Sequence, residues 1–259
     1  PISLEKNMRR FFTEPDNIDL DNGTLTIIDD AVHISKVLRM ECGDKIIVFD
    51  GTGYEYEAML IKIEKEKSIA NILGRSLLEL EPETKVTLFQ GIPKSDKLEI
   101  IVQKAVELGV HDIVPVKTSR SVAKIADDKK GRQKIERLNK ISKEAAKQCG
   151  RGLVPKVSMP VVFSAMADIL KNYDLSIMFY EELGHDGKKN LKEILRTNPE
   201  AESIAVLIGP EGGFSPSEAE TIQDMNENTF CAGLGKRILR TETAGSTALS
   251  VIMYEKDEI

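Results

Sequence analysis

The sequence predicts an α/β protein: a parallel sheet with intervening helices, preceded by a small β-rich domain. Three features carry this reading. The first 75 residues are mostly short β-type runs separated by turns, with one helix among them. After residue 85, strands and helices alternate, the rhythm of a parallel sheet with crossover helices. Between the two lies ELEPET (79–84), polar and proline-bearing, which makes the expected domains 1–78 and 79–259.

In the first part, TLTII (24–28), DKIIVFD (44–50), YEYEAMLIKI (54–63) and a weaker run over 68–78 are the expected strands. Gly51-Thr52-Gly53 is a hairpin connection of three residues. A helix is expected after Asp30, its cap, with Val32, Ile34, Val37 and Leu38 as apolar positions. Several short strands with one helix suggest a small barrel. In the second part, KVTLFQGI (85–92), DIVPV (112–116), DLSIMFYE (174–181), SIAVLIG (203–209) and TFCAGL (229–234) are strands. Helices are expected from near Ser95 to Leu108, with Gly109 as the C′ glycine, and over 131–149. Another follows Ser215, whose S-x-x-E spacing to Glu218 with Pro216 between is a capping box. The last runs from Thr241, its expected cap, to about Tyr254.

With 259 residues, 41% hydrophobic and 30% charged, the chain has the composition of a soluble globular protein. Its apolar runs are too short to cross a bilayer, so no membrane partner is expected. The N-terminal stretch lacks the apolar segment of a signal peptide. Cys42, Cys149 and Cys231 are widely spaced and odd in number, which disfavours zinc or a disulfide framework and fits a reducing cytoplasm.

The net charge of −6 hides an asymmetry: residues 117–156 hold 13 Lys/Arg against 4 Asp/Glu, leaving −15 on the rest. A basic strip on an acidic body favours a specific polyanion docked on one face. Within it, Ile135, Leu138, Ile141, Ala145 and Cys149 form an apolar stripe opposite Arg137, Lys140, Lys143 and Lys147. That basic side is either a solvated helix face or a nucleic-acid contact, which Lys117, Arg120, Lys124, Arg151 and Lys156 would extend. In NMRRFF, Arg9 and Arg10 beside Phe11 and Phe12 either combine phosphate binding with base stacking or place the rings in the core.

Two glycine loops are the candidate chemical sites; the alternatives are a merely tight strand-to-helix turn for the first and a packed C-terminal helix with solvated arginines for the second. In VLIGPEGGFSP (206–216) an apolar strand runs into Gly209, Pro210, Glu211, Gly212 and Gly213 before a capped helix. Glycines after a parallel strand bring bare backbone groups to a ligand. The dinucleotide fingerprint G-x-G-x-x-G is absent, and a glutamate at the centre would ill serve a phosphate. The second loop, in LGKRILRTETAGSTALSVIMYE (234–255), repeats the design with Gly235, Lys236, Arg237 and Arg240 ahead of a helix rich in small residues.

The IGPEGGFS and LGKRILRTETA loops together resemble the bacterial ribosomal small-subunit methyltransferase E family, in the SPOUT class of RNA methyltransferases. Further matches lie in RRFF, HISKVLRMECGDKIIVFDG (33–51), QGIPKSDKLEIIVQKAVELGV (90–110), SRSV (119–122) and EAAKQCGR (144–151). The resemblance implies a PUA-like N-terminal β-barrel and a SPOUT-type parallel sheet closed by a C-terminal trefoil knot. It implies S-adenosylmethionine held by Ile208, Gly209, Pro210, Gly212, Gly213, Leu234, Gly235, Ile238, Leu239 and Thr243. It also implies methylation of a uridine N3 in 16S ribosomal RNA, free or in the small subunit, by a homodimer. RNA contacts would come from Arg9, Arg10, Arg39, Lys94, Arg120 and Arg151. Arg240 is the candidate for favouring the N3 anion, or else is salt-bridged to Glu242 or Glu211. Glu211 either takes the N3 proton or orients backbone. The competing reading is a non-catalytic RNA-binding or ribosome-assembly module.

Overall fold

The computed structural model describes residues 8–78, 80–180, 189–225 and 227–259, so His185 and the end of the strand expected over 174–181 lie outside the described residues. The chain divides into two units: residues through Glu81 with Ala146–Val154, and Pro82–Ala145 with Pro155–Ile259. The excursion of 146–154 into the first unit is not visible in the sequence.

The first unit is built on one sheet. Its strands are β1 (Arg9–Phe12), β2 (Ile18–Asp19), β3 (Thr24–Ile27), β4 (Lys45–Phe49), β5 (Tyr54–Ile63) and β6 (Ser68–Leu77). They are ordered β1-β4-β5-β6-β3-β2, with β1 parallel to β4 and the other ladders antiparallel. The path has two ends: no ladder joins β1 to β2 among the described residues. Phe11, Leu25, Ile27, Ile46, Val48, Tyr56 and Leu60 form its core, so the phenylalanines of RRFF are packing residues.

The expected helix after Asp30 is instead a π-helix over His33–Val37, with Leu38 N–H donating to His33 O. The wider winding turns Val32 and Val37 outward, and they are exposed, while Ile34 is buried. Asp30 does not cap with its side chain; its carboxylate accepts from Lys147 Nζ at 2.9 and 3.1 Å.

Two arginines expected to face RNA are structural here. Arg151 is buried, and its guanidinium pairs with Glu81 at 2.6 and 3.0 Å, while Glu81 also accepts from the N–H groups of Gly152 and Leu153. Arg10 donates to Gly150 O at 2.7 Å and Arg151 O at 3.2 Å, with its guanidinium 4.8 Å from the Phe49 ring centre. A buried backbone carbonyl needs a donor, and these two cations supply or orient them along 150–153.

The second unit alternates as expected, with short pieces that the sequence did not reveal. In chain order it holds β7 (Lys85–Gly91), α1 (Lys97–Glu107), β8 (Asp112–Lys117), α2 (Lys129–Cys149), β9 (Lys156–Val157) and β10 (Val161–Val162). Then come α3 (Phe163–Leu170), β11 (Leu175–Phe179), β12 (Lys189–Asn190), α4 (Leu191–Thr197), β13 (Ser203–Ile208), α5 (Pro216–Gln223), β14 (Thr229–Gly233) and α6 (Thr241–Glu255). The last turn of α2 belongs to the first unit, and Cys149, placed on its apolar stripe, is exposed.

The sheet order is β10-β8-β7-β13-β11-β14-β12, every ladder parallel, with β9 also on β8. Residue alternation along the strands sets two faces. Phe89, Met178, Ala205 and Leu207 point to the side covered by α3 and α5, in one core with Met166, Leu170, Ala219 and Ile222. Leu88 points the other way, toward Gly245 of α6, and α6 packs against α1. Gly109 ends α1 with φ +85 and Val110 N–H reaching Ala105 O at 3.0 Å, the C′ role its position implied.

Replacing Arg151 by Met leaves the Glu81 carboxylate half-satisfied in a shielded site and should destabilise the first unit by about 3 kcal/mol. Chemical denaturation checks this. Glu81→Gln should cost less, because an amide oxygen can still accept from Gly152 and Leu153.

Candidate active site

A cavity of about 480 Å³ opens at the carboxyl ends of β11, β13 and β14. Its walls are the two glycine loops: Ile208–Phe214 from one and Ala232–Gly235 with Arg237–Thr241 from the other, closed by Phe179, Tyr180, Lys97 and Ala244. Gly212 and Gly235, 23 positions apart in the chain, face one space. Ligands of open parallel sheets bind at this end of the strands, and the volume suits a cofactor-sized molecule.

The first loop is tight because its glycines leave room for its own backbone. Gly213 N–H donates to Pro210 O at 2.9 Å, closing a turn, and Gly213 takes φ +66. A Cβ on Gly209 would lie 2.9 Å from the backbone of Gly213. Gly91, at the end of β7, is under the same constraint: a Cβ there would sit 2.5 Å from Pro210 Cδ. After the turn, Ser215 caps α5 in a full capping box, Glu218 returning a bond to Ser215 N–H. Glu218 is buried and also accepts from Ser119 N–H at 2.8 Å and Ser119 Oγ at 3.1 Å.

Thr241 joins the loops. It was expected to cap α6, but Arg240 occupies the N-cap and makes no side-chain cap bond. As the first helical residue, Thr241 turns its hydroxyl inward, donating to Gly209 O at 2.7 Å and accepting from Gln90 Nε2 at 2.9 Å. Gln90 is fully buried and donates also to Gly91 O at 3.0 Å. Its isolation within the apolar run KVTLFQGI was the available signal, and the sequence reading missed it, as it missed Gly91 and Lys97.

Of the expected cofactor-binding residues, Ile208, Gly209, Pro210, Gly212, Gly213, Leu234, Gly235, Ile238 and Leu239 all line the cavity. Thr243 does not: it is exposed one turn into α6, and Thr241 and Ala244 face the space instead. Arg240 lines the cavity, is exposed, and takes no ion pair among the described residues; Glu211 and Glu242 pair with Lys97.

Glu211 accepts from Lys94 N–H at 3.1 and 3.2 Å and from Lys97 Nζ at 3.1 Å. Burial works to raise its pKa, but backbone N–H groups of Glu211 and Lys94, with Lys97, outweigh this and hold it below the usual range. The folded value being the lower one, this tie is complete above the ordinary Glu pKa of about 4.3 and is lost only as pH falls through the depressed value.

The cations expected to face RNA separate here. Arg9, Arg39 and Lys94 are exposed. Arg120 instead donates through Nη1 to Gly212 O at 3.0 Å, and its Cβ would lie 3.1 Å from a Cβ on Gly212. With Arg10 and Arg151 engaged in the first unit, half of the expected set has structural partners. In the basic strip, Arg132 pairs with Asp127 and Arg137 with Glu99.

Residues 80–253 match the model of the RNA methyltransferase domain family, and residues 29–73 match that of the RNA methyltransferase PUA domain family. The chain is 37% identical to ribosomal RNA small subunit methyltransferase E of Bacillus subtilis over 253 residues, covering 96% of this chain and 98% of that one. It belongs to the ribosomal RNA small subunit methyltransferase E family. The Neisseria gonorrhoeae member, solved bound to S-adenosylmethionine, superposes with a TM-score of 0.81 at 29% identity, covering 96% of this chain and 98% of that one. A Legionella pneumophila chain, also solved with that cofactor, gives 0.83 at 29% identity over the same shares.

Two substitutions test the loop architecture of this family member. Gly91→Ala must push Pro210 aside and should cost about 1–3 kcal/mol of stability. Thr241→Val removes the hydroxyl bond to Gly209 O and one of the acceptors of Gln90 Nε2, which keeps Gly91 O, and should cost about 1–3 kcal/mol. Thermal unfolding with and without S-adenosylmethionine reads both.

Proposed function

We propose that this chain transfers the methyl group of S-adenosylmethionine to N3 of a uridine in 16S ribosomal RNA. The observation that carries the reading is that both glycine loops, joined by Thr241, line one cavity at the carboxyl ends of the parallel strands. A non-catalytic binding module has no need of that cradle. The family relation supports the ribosomal substrate, the homodimer, the cytoplasmic setting and the trefoil knot through which the last segment would pass.

The residues present fit the cofactor. The loops offer main-chain groups and the apolar side chains Ile208, Leu234 and Leu239. Backbone made accessible at Gly209, Gly212, Gly213 and Gly235 would hold the adenosyl and methionyl parts, with Ala244 leaving room. When bound, S-adenosylmethionine supplies an electrophilic methyl group on its sulfonium. The protein's contribution is to fix the acceptor nitrogen in line with it, since orientation removes much of such a barrier.

Uridine N3 is protonated at neutral pH and weakly nucleophilic until that proton leaves. Arg240, exposed at the mouth and without an ion partner among the described residues, is placed to donate to a uracil carbonyl and favour the anion. Glu211, tied to Lys94 and Lys97 with a depressed pKa, suits the orienting role better than that of proton acceptor. Arg9, Arg39 and Lys94 remain as exposed cations for the RNA backbone.

Mass mapping of 16S RNA, or of assembled small subunits, after incubation with the protein and labelled cofactor tests the reaction, the base and the preferred substrate together. Label in no uridine would remove the proposal. Arg240→Ala should abolish transfer while leaving cofactor affinity within a few-fold by calorimetry. Equal loss of both would make Arg240 a cofactor ligand.

A further inference from the structure

Lys97 belongs to neither glycine loop, yet it touches a charged residue at each. It is the first residue of α1, and its side chain lines the cavity. Its Nζ lies 3.1 Å from Glu211 Oε1, in the first loop, and 3.3 Å from Glu242 Oε2, in the first turn of α6 directly after the second loop. Two oxygens so close to one nitrogen are at most about 6.4 Å apart. That separation is inside the roughly 8–10 Å over which salt screens charge, so the carboxylates repel unless a cation stands between them.

The segment carrying Lys97 is itself pinned to the same point. Lys94 N–H donates to Glu211, and Ser95 takes φ +55 in the turn between β7 and α1. Glu242 Oε2 is sealed from solvent and takes no hydrogen bond, which leaves the ion pair with Lys97 as its compensation among the described residues. An ordinary surface salt bridge contributes little. This one differs: one ammonium serves two carboxylates from separate segments, and all three side chains are largely shielded, at 28%, 29% and 21% exposure. The lysine pKa is raised, chiefly by its bond to Glu211, so the ammonium persists through the neutral range.

We propose that Lys97 is a positioning residue for methyl transfer, its ammonium neutralising Glu211 and Glu242 and holding the two glycine loops at the spacing the cofactor requires. This rests on the reading of the cavity as the S-adenosylmethionine site. Lys97 acts through the loops and does not take part in the chemical step. Its influence therefore falls on cofactor affinity and on turnover that depends on cofactor geometry, and leaves the KM for RNA unchanged.

The test is calorimetric titration with S-adenosylmethionine, together with steady-state kinetics, on four proteins. These are the wild type, Lys97→Met, Lys97→Arg and the double variant Lys97→Met/Glu242→Gln. Losing a charge-assisted contact on each side should weaken cofactor binding of Lys97→Met about ten-fold. Lys97→Arg should retain affinity within a few-fold. The double variant should recover most of the loss, because the unpaired repulsion has gone. Wild-type affinity in Lys97→Met, or a double variant weaker than the single one, overturns the proposal. A loss in Lys97→Met confined to the KM for RNA also overturns it, by making the lysine a substrate contact. Should Lys97→Met not fold, Lys97→Arg against Lys97→Gln gives the same comparison. A wild type that binds no S-adenosylmethionine sinks the reading of the cavity itself, which separates the two failures.

Discussion

The bond from the Thr241 hydroxyl to the Gly209 carbonyl holds together segments that are 32 residues apart. The glycine loops follow β13 and β14, which β11 separates in the sheet. With this bond, the start of α6 is locked to the end of β13, and the fully buried Gln90 amide fixes the direction of the hydroxyl from below. A hydroxyl can donate once and accept from another donor, which is why a threonine at this position can serve both neighbours. The arrangement has a local consequence. Because Thr241 turns inward, the N-cap falls to Arg240, whose side chain makes no cap bond and is left exposed at the cavity.

Charge in this molecule is spent largely on architecture. The basic strip of 117–156 reads as either a solvated face or an RNA contact, and within it Arg120 holds the Gly212 carbonyl, Arg151 is buried against Glu81, and Lys147 closes on Asp30. The physical reason is common to all three. Loops poor in side chains, and chain excursions such as 146–154, leave backbone carbonyls and carboxylates without partners in their own segment. Long cationic side chains reach such groups from a neighbouring segment. Fewer of these cations are left without a structural role than the sequence count suggests, although Lys129, Lys130 and Lys140 of α2 are exposed.

Legibility followed the nature of the signal. Strand and helix rhythm was readable because burial imposes periodicity, and Ser215 with Glu218 announced α5 because capping is local chemistry. The glycine loops were readable because three glycines around a proline have few other uses. Contacts made at a distance left no such trace. Nothing in the sequence marks Lys97 as the partner of Glu211 and Glu242, or Arg151 as that of Glu81. The π-helix at His33–Val37 was read as an ordinary helix because the pattern of apolar residues cannot distinguish hydrogen bonds to the fourth from those to the fifth preceding residue. The short strands β9, β10 and β12, two residues each, are set by their neighbours and not by their own composition.

The two loops differ in a way that follows from what each must present. The first is nearly all backbone: Gly209, Gly212 and Gly213 bring main-chain atoms close, and Arg120 and Glu218 hold the loop and the helix after it. The second keeps one glycine at φ +94 toward the cavity, then sends Arg237, Ile238 and Arg240 to the mouth, Ile238 being 84% exposed. The exposed Ile238 is not explained by packing within the described residues. One cavity thus combines main chain and apolar side chains with the charged Lys97, Glu211, Arg237 and Arg240.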